Sequence, residues 1–236
     1  MMFYFDPTYY LYALPGIVLL FIAQMTVKSR FSKYSQIENR RRLTGHDAAA
    51  QVLREHGLYG VKIERVQGDL TDHYDPRENV VRLSETVYDS PSIAAVGVAA
   101  HEAGHAVQYA KNYAPIKIRA AIVRVCNFGA TLGPILAVIG FILSAQYESN
   151  LGDILSLTGI LLFATVFVFQ LVTLPVEFNA SRRALETLER ARMLYDEEEQ
   201  KGARKVLAAA AMTYVAAMFQ SLLILLYYIS RFNRRR

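Results

Sequence analysis

The stretch Ala99-Ala100-His101-Glu102-Ala103-Gly104-His105-Ala106-Val107-Gln108 carries two imidazoles and a carboxylate in the order His-Glu-x-x-His. On an α-helix, His101 and His105 stand one turn apart on the same face. Two imidazoles so placed can grip one Zn²⁺. Glu102 leans toward the same ion, where it can take a proton from water. The plainer reading is a polar turn on a surface helix. Against it, the run Ile93 to Ala110 is small and apolar and predicts a buried helix, in which a charged triplet needs a partner such as a metal. The single cysteine, Cys126, lies in an apolar segment. It can form no intrachain disulfide, and a cysteine-based metal site is excluded, so zinc must use His and carboxylates.

The elements that must hold this turn are mostly apolar. Of 236 residues 53% are hydrophobic and 20% charged, a lean balance that comes from four long apolar segments. The expected fold class is mainly α and integral to a membrane, with about four transmembrane helices from those segments, plus a small α+β domain at the membrane face that the His-Glu-x-x-His motif marks as a zincin-like metallopeptidase domain. The net charge of +5 gathers near the ends of those segments. There it sets topology or touches anionic lipid rather than nucleic acid, for which no motif is present.

In chain order, residues 1–30 read as a retained transmembrane anchor without a positive leader. Tyr4, Tyr9, Tyr10 and Tyr12 form an aromatic belt at its outer end, Pro15 falls inside it, and Lys28, Arg30 and Lys33 follow it on the cytoplasmic side. Residues 31–118 read as the zincin-like domain. Arg40-Arg41-Arg42 is a topology signal or lipid contact. Thr44 caps a helix ending near His56, with Gly57 as its stop. Val61–Val66, Leu70–Tyr74 and Asn79–Leu83 make a small antiparallel sheet. Ser90-Pro91 opens the motif helix. Residues 119–174, after a basic hinge at Pro115 to Arg119, form a transmembrane hairpin with a Gly129-x-x-x-Gly133 pair and a polar turn that includes Glu148. Residues 175–205 form a helix and an acidic loop at Asp196 to Gln200. Residues 206–236 form a fourth apolar helix, ending in Arg231, Arg234, Arg235 and Arg236.

A hairpin of two spans returns the chain to the side it left. Glu177 emerges just past the third span on the same face as the His pair, so it can approach the metal. His73 is the next best ligand, as an alternate third ligand or a supporting contact. Asn179 and Ser181 can hydrogen-bond a ligand from behind. Arg182, Arg183, Tyr195 and Tyr214 are the candidates for stabilising an oxyanion. His46 and His56 sit on the first helix of the domain and read as packing or surface. The third strand, with Asn79, Val80, Val81 and Arg82, is expected as an edge to which an extended substrate adds.

The run Val98 to Gln108, with Leu70 to Pro76 before it and Glu177 to Ala184 after it, resembles the bacterial YugP-like neutral zinc metallopeptidases. More distantly it is similar to the HtpX and Ste24 gluzincin peptidases. The resemblance implies His101, His105 and Glu177 as ligands of one catalytic Zn²⁺ and Glu102 as general base. The distant relatives usually carry an Asp four residues after the third ligand, where this chain has Ser181. The function so implied is hydrolysis of peptide bonds in membrane or membrane-proximal proteins by an enzyme of the bacterial inner membrane, with its site on the cytoplasmic face. The alternative is a catalytically silent membrane adaptor with a structural zinc; a retained Glu102 argues against it. The scarcity of ionisable residues within the apolar spans, where Arg124 near the start of the second is the exception, argues against ion transport.

Overall fold

A computed structural model describes residues 7–147 and 150–234. Tyr4 of the expected belt, Glu148 of the turn, and the terminal Arg235 and Arg236 lie outside them. The chain is mainly helical, with one small sheet: α1 (Pro7–Ser35), α2 (Gly45–Glu55), β1 (Lys62–Val66), β2 (His73–Asp75), β3 (Val80–Ser84), α3 (Glu85–Tyr88), α4 (Ile93–Ala110), α5 (Ala114–Tyr147), α6 (Asn150–Arg190) and α7 (Glu197–Asn233). Four of these, α1, α5, α6 and α7, are long and apolar enough to cross a membrane. The chain divides into two compact units.

One unit comprises residues 23–117 and 175–212 and holds every element of the sheet. Thr44 caps α2: its hydroxyl accepts from the Asp47 N–H at 3.1 Å, and the Asp47 carboxylate accepts from the Thr44 N–H at 3.0 Å. The helix turns Ala48, Ala49, Val52 and Leu53 inward, and these pack on α4 within one core. Ser92, rather than Ser90-Pro91, caps α4, its hydroxyl accepting from Ala95 N–H at 3.1 Å.

The sheet departs from the antiparallel expectation. Its order is β1-β3-β2, with β1 parallel and β2 antiparallel to β3. Thus β3 is the central strand, and its backbone is engaged on both sides. The substrate edge expected at Asn79, Val80, Val81 and Arg82 is not an edge. The reason is legible in the side chains: Val80, Val81 and Leu83 are all buried, whereas β1 and β2 keep exposed positions. The second strand also begins later than expected, because Leu70 lies at φ 56° and Gly68 at φ 97°, a turn rather than extended chain. Asp72 then clamps the sheet, its carboxylate accepting from the Ser84 N–H at 2.8 Å and the Ser84 hydroxyl at 3.0 Å.

Three further boundaries move. Helix α5 already includes the stretch read as a basic hinge. Helix α6 runs through Pro175, where a break was expected; proline forfeits only one N–H donor, which membrane helices tolerate. The acidic segment read as a solvated loop is the first turn of α7, where Glu197, Glu198 and Glu199 suit the positive end of the helix dipole. Glu199 is buried and accepts from the N–H groups of Arg40 at 2.7 Å and Tyr195 at 2.5 Å. The three arginines of residues 40–42 all have protein partners: Arg40 pairs with Asp196, Arg41 donates to the Arg192 carbonyl at 2.8 Å, and Arg42 pairs with Glu38.

The other unit comprises residues 1–22, 118–174 and 213–236, described from Pro7 to Arg234. Here α5 and α6 approach closely. A Cβ on Gly129 would come within 2.3 Å of the Leu162 carbonyl oxygen, and one on Gly133 within 2.9 Å of the Phe163 nitrogen. Both glycines of the expected pair therefore face the neighbouring helix. Tyr9 of α1 meets Tyr227 of α7 edge-on, with ring centroids 5.3 Å apart.

Candidate metal centre

Three side chains converge in the sheet-bearing unit. His101 and His105 project from α4, and Glu177 from the last part of α6. One ligand atom from each lies within 4.8 Å of the others. The Glu177 Oε2 stands 3.3 Å from His101 Nε2 and 3.6 Å from His105 Nε2. The two imidazoles meet edge to face, with centroids 4.7 Å apart. Glu177 is 3% exposed and His105 8%, so the carboxylate and one imidazole are out of water. A tetrahedral ion with bonds of about 2.0–2.1 Å places its ligand atoms roughly 3.4 Å apart, close to the two separations found. The residues fit a small divalent cation of zinc type.

Helix packing makes this possible. Gly104 sits between the histidines' turns where α4 crosses α6, and a Cβ there would reach within 2.9 Å of the Ala180 carbonyl oxygen. Ala180, Ala184 and Leu188 of α6 are buried along the same face. Small residues on both helices let the ligand-bearing backbones approach.

The contacts behind the ligands are side-chain specific. His101 Nδ1 lies 3.1 Å from the Ser181 hydroxyl. Ser181 therefore occupies the supporting position at which an Asp was expected by resemblance, and it does so with a group that can donate or accept. His105 Nδ1 lies 3.0 Å from Gln108 Oε1. Gln108 Nε2 donates to the Val176 carbonyl at 2.8 Å and to Asn179 Oδ1 at 3.0 Å. Arg183 Nε donates to the same Asn179 oxygen at 2.7 Å. Asn179 thus touches Gln108 and Arg183, not a ligand directly. Gln108 was not singled out from the sequence; its place three residues beyond His105, on the same helix face, was the available signal.

Glu102 is held from the sheet. Its Oε2 accepts the Tyr74 N–H at 3.1 Å. Burial pushes the Glu102 carboxyl up from its usual range, against the pull of His101 and His105 and with the charges of Glu177 and Asp72 adding to the rise. For His105, burial opposes the charged ring, but the facing Glu177 carboxylate and the charge of Glu102 outweigh it and raise its pKa. A carboxylate beside a cation site is placed to exchange a proton with water held there.

The remaining candidates lie elsewhere. His73 is exposed, its Nδ1 2.8 Å from the Thr71 carbonyl, and it is not part of the cluster. Arg182 is exposed and faces Glu186 along its own helix. Tyr195 is exposed beside Arg40. His56 Nδ1 lies 2.9 Å from the Val52 carbonyl, and His46 packs near Tyr88. Asn79 accepts from the Tyr74 hydroxyl at 2.8 Å, and Arg82 pairs with Asp75 at 3.3 Å and with Glu78.

The cluster sets a partly exposed His101 beside a buried His105 and Glu177, with a second glutamate, Glu102, at hand. The family described as "Putative neutral zinc metallopeptidase" matches residues 9–233, and the chain belongs to that family. It is 45% identical over 218 residues to the "Putative membrane protease YugP" of Bacillus subtilis (strain 168), covering 92% of this chain and 93% of that one. No solved structure matches.

Proposed function

We propose that the protein is an integral-membrane zinc endopeptidase of the His-Glu-x-x-His, gluzincin-like kind, cleaving membrane or membrane-proximal proteins. The carrying observation is the convergence of His101, His105 and Glu177 beside a Glu102 carboxylate anchored by the Tyr74 amide. The two imidazoles and Glu177 would hold one Zn²⁺. Bound there, zinc supplies a Lewis acid for a scissile carbonyl and for water. Glu102 takes the proton from the attacking water and returns it to the leaving amine. The Tyr74 N–H keeps the carboxylate aimed while it does so.

An extended substrate has a strand to join, but it is β2 rather than β3. Strand β2 is terminal in the sheet and lies beside Glu102; its Tyr74 N–H is taken by that carboxylate, so a substrate would pair with the remaining outer backbone of the strand. The four apolar helices and the membrane protease among its relatives support a membrane location, and the positive cluster after the first apolar run supports a cytoplasmic site.

The test is bound zinc and proteolysis of an unfolded protein substrate, compared with a Glu102→Gln variant. The variant should keep its zinc and lose about 10²–10⁴-fold in turnover. Equal turnover in both proteins would defeat the enzyme reading. The adaptor alternative predicts zinc in both and cleavage in neither.

A further inference from the structure

Gln108 is completely buried on α4, and its amide is engaged at both ends. The Nε2 group donates to a backbone carbonyl, Val176, and to Asn179 Oδ1. A backbone carbonyl can only accept, so the amide cannot be turned over. Turning it would press its oxygen against two oxygens and aim its hydrogens at His105. Oε1 therefore faces His105 Nδ1, 3.0 Å away, and because Oε1 has only lone pairs, Nδ1 carries the proton. With Nδ1 occupied by that proton, Nε2 is the ring nitrogen left for a cation, and it lies 3.6 Å from Glu177 Oε2. Asn179 is itself held by Arg183, which keeps its oxygen turned toward Gln108. Val176 precedes Glu177, so the same amide also ties the backbone of the third ligand to the helix of the first two.

We propose that Gln108 is a positioning residue for the metal centre: it locks His105 in the tautomer that presents Nε2 to a cation and fixes the spacing between the two ligand-bearing helices. This role rests on the zinc reading above. Without the amide, His105 is free to turn or to present an N–H, which a cation cannot use.

The test uses the full chain purified in detergent, with zinc affinity read by competition against a chromophoric chelator and the site's symmetry read from the visible spectrum of the Co²⁺ form. Gln108→Leu, close in volume, should weaken zinc by about 10–100-fold and change the Co²⁺ bands. Gln108→Glu still offers an oxygen to Nδ1 and, buried and protonated, a donor to Val176; it should stay within about threefold of the parent and keep its spectrum. A Leu variant that binds like the parent, or Leu and Glu variants that lose affinity equally, would overturn the role. Should the Leu variant not fold, the Glu variant decides: retained affinity and spectrum support the role, and loss of either overturns it. A parent that takes up neither metal would overturn the metal reading and this role together, whereas a parent and a Leu variant that bind alike overturn this role alone.

Discussion

Ser181 shows how one hydroxyl can stand in for a carboxylate. At 3.1 Å from His101 Nδ1 it orients the ring, yet it brings no negative charge to raise the ring's basicity. Ser181→Ala should therefore lower zinc affinity by about tenfold, the lower end of what such supporting contacts contribute. Ser181→Asp should restore or tighten binding, since a carboxylate accepts the Nδ1 proton more strongly. Chelator competition on both variants reads the effect, and a tighter Ala variant would mean the hydroxyl is not holding the ring. The two imidazoles of the proposed centre were legible from residue type and spacing, because His-Glu-x-x-His reports a helix face directly, whereas Glu177 was reached through the return of the apolar hairpin and the resemblance. The supporting contacts were less so. Ser181 and Asn179 were visible as polar residues near Glu177, but which atom each would meet depends on how α4 crosses α6, and that crossing is set by Gly104 and Ala180.

Among the elements, β2 is only three residues long and still holds Glu102, the proposed base. Its hold on Glu102 passes through Tyr74, and its own position depends on the Asp72 clamp to Ser84. Asp72→Ala should thus lower turnover by about tenfold while zinc affinity stays near the parent value, a split that separates aim of the base from assembly of the ligands. Equal loss in both measurements would contradict it. The crossing of α4 and α6 admits a complementary test. Gly104→Val places branched carbons against the Ala180 carbonyl and should cost about 1–3 kcal/mol of stability in denaturant unfolding, with weakened zinc binding because Glu177 rides on the displaced helix. The helices were readable from apolar periodicity and caps, Thr44 above all. The sheet was readable as three strands but not in its order. Alternation fixes which face of a strand is buried, while the neighbour of a strand is a non-local choice. The burial of Val80, Val81 and Leu83, on both faces of the strand, is what marks β3 as central.

At the scale of the whole molecule, four helices are long and apolar enough to cross a bilayer, and charge would decide which way they thread it. Lys28, Arg30 and Lys33 follow the first apolar run, and Arg40, Arg41 and Arg42 stand a few residues on. The cytoplasmic side holds short positively charged segments. A fourth crossing by α7 would send Arg231 and Arg234 the other way, against the same rule, and the larger basic group next to α1 would then have to dominate. Tyr59, between α2 and β1, is 82% exposed and reports the side on which the sheet-bearing unit sits. Cys126 is the single cysteine and is buried, so its replacement by serine clears the background for one introduced thiol. Tyr59→Cys in that background should react with a membrane-impermeant maleimide in inverted vesicles and stay unlabelled in intact cells. Labelling from outside intact cells would reverse the orientation, and with it the expectation that substrates are met in the cytoplasm.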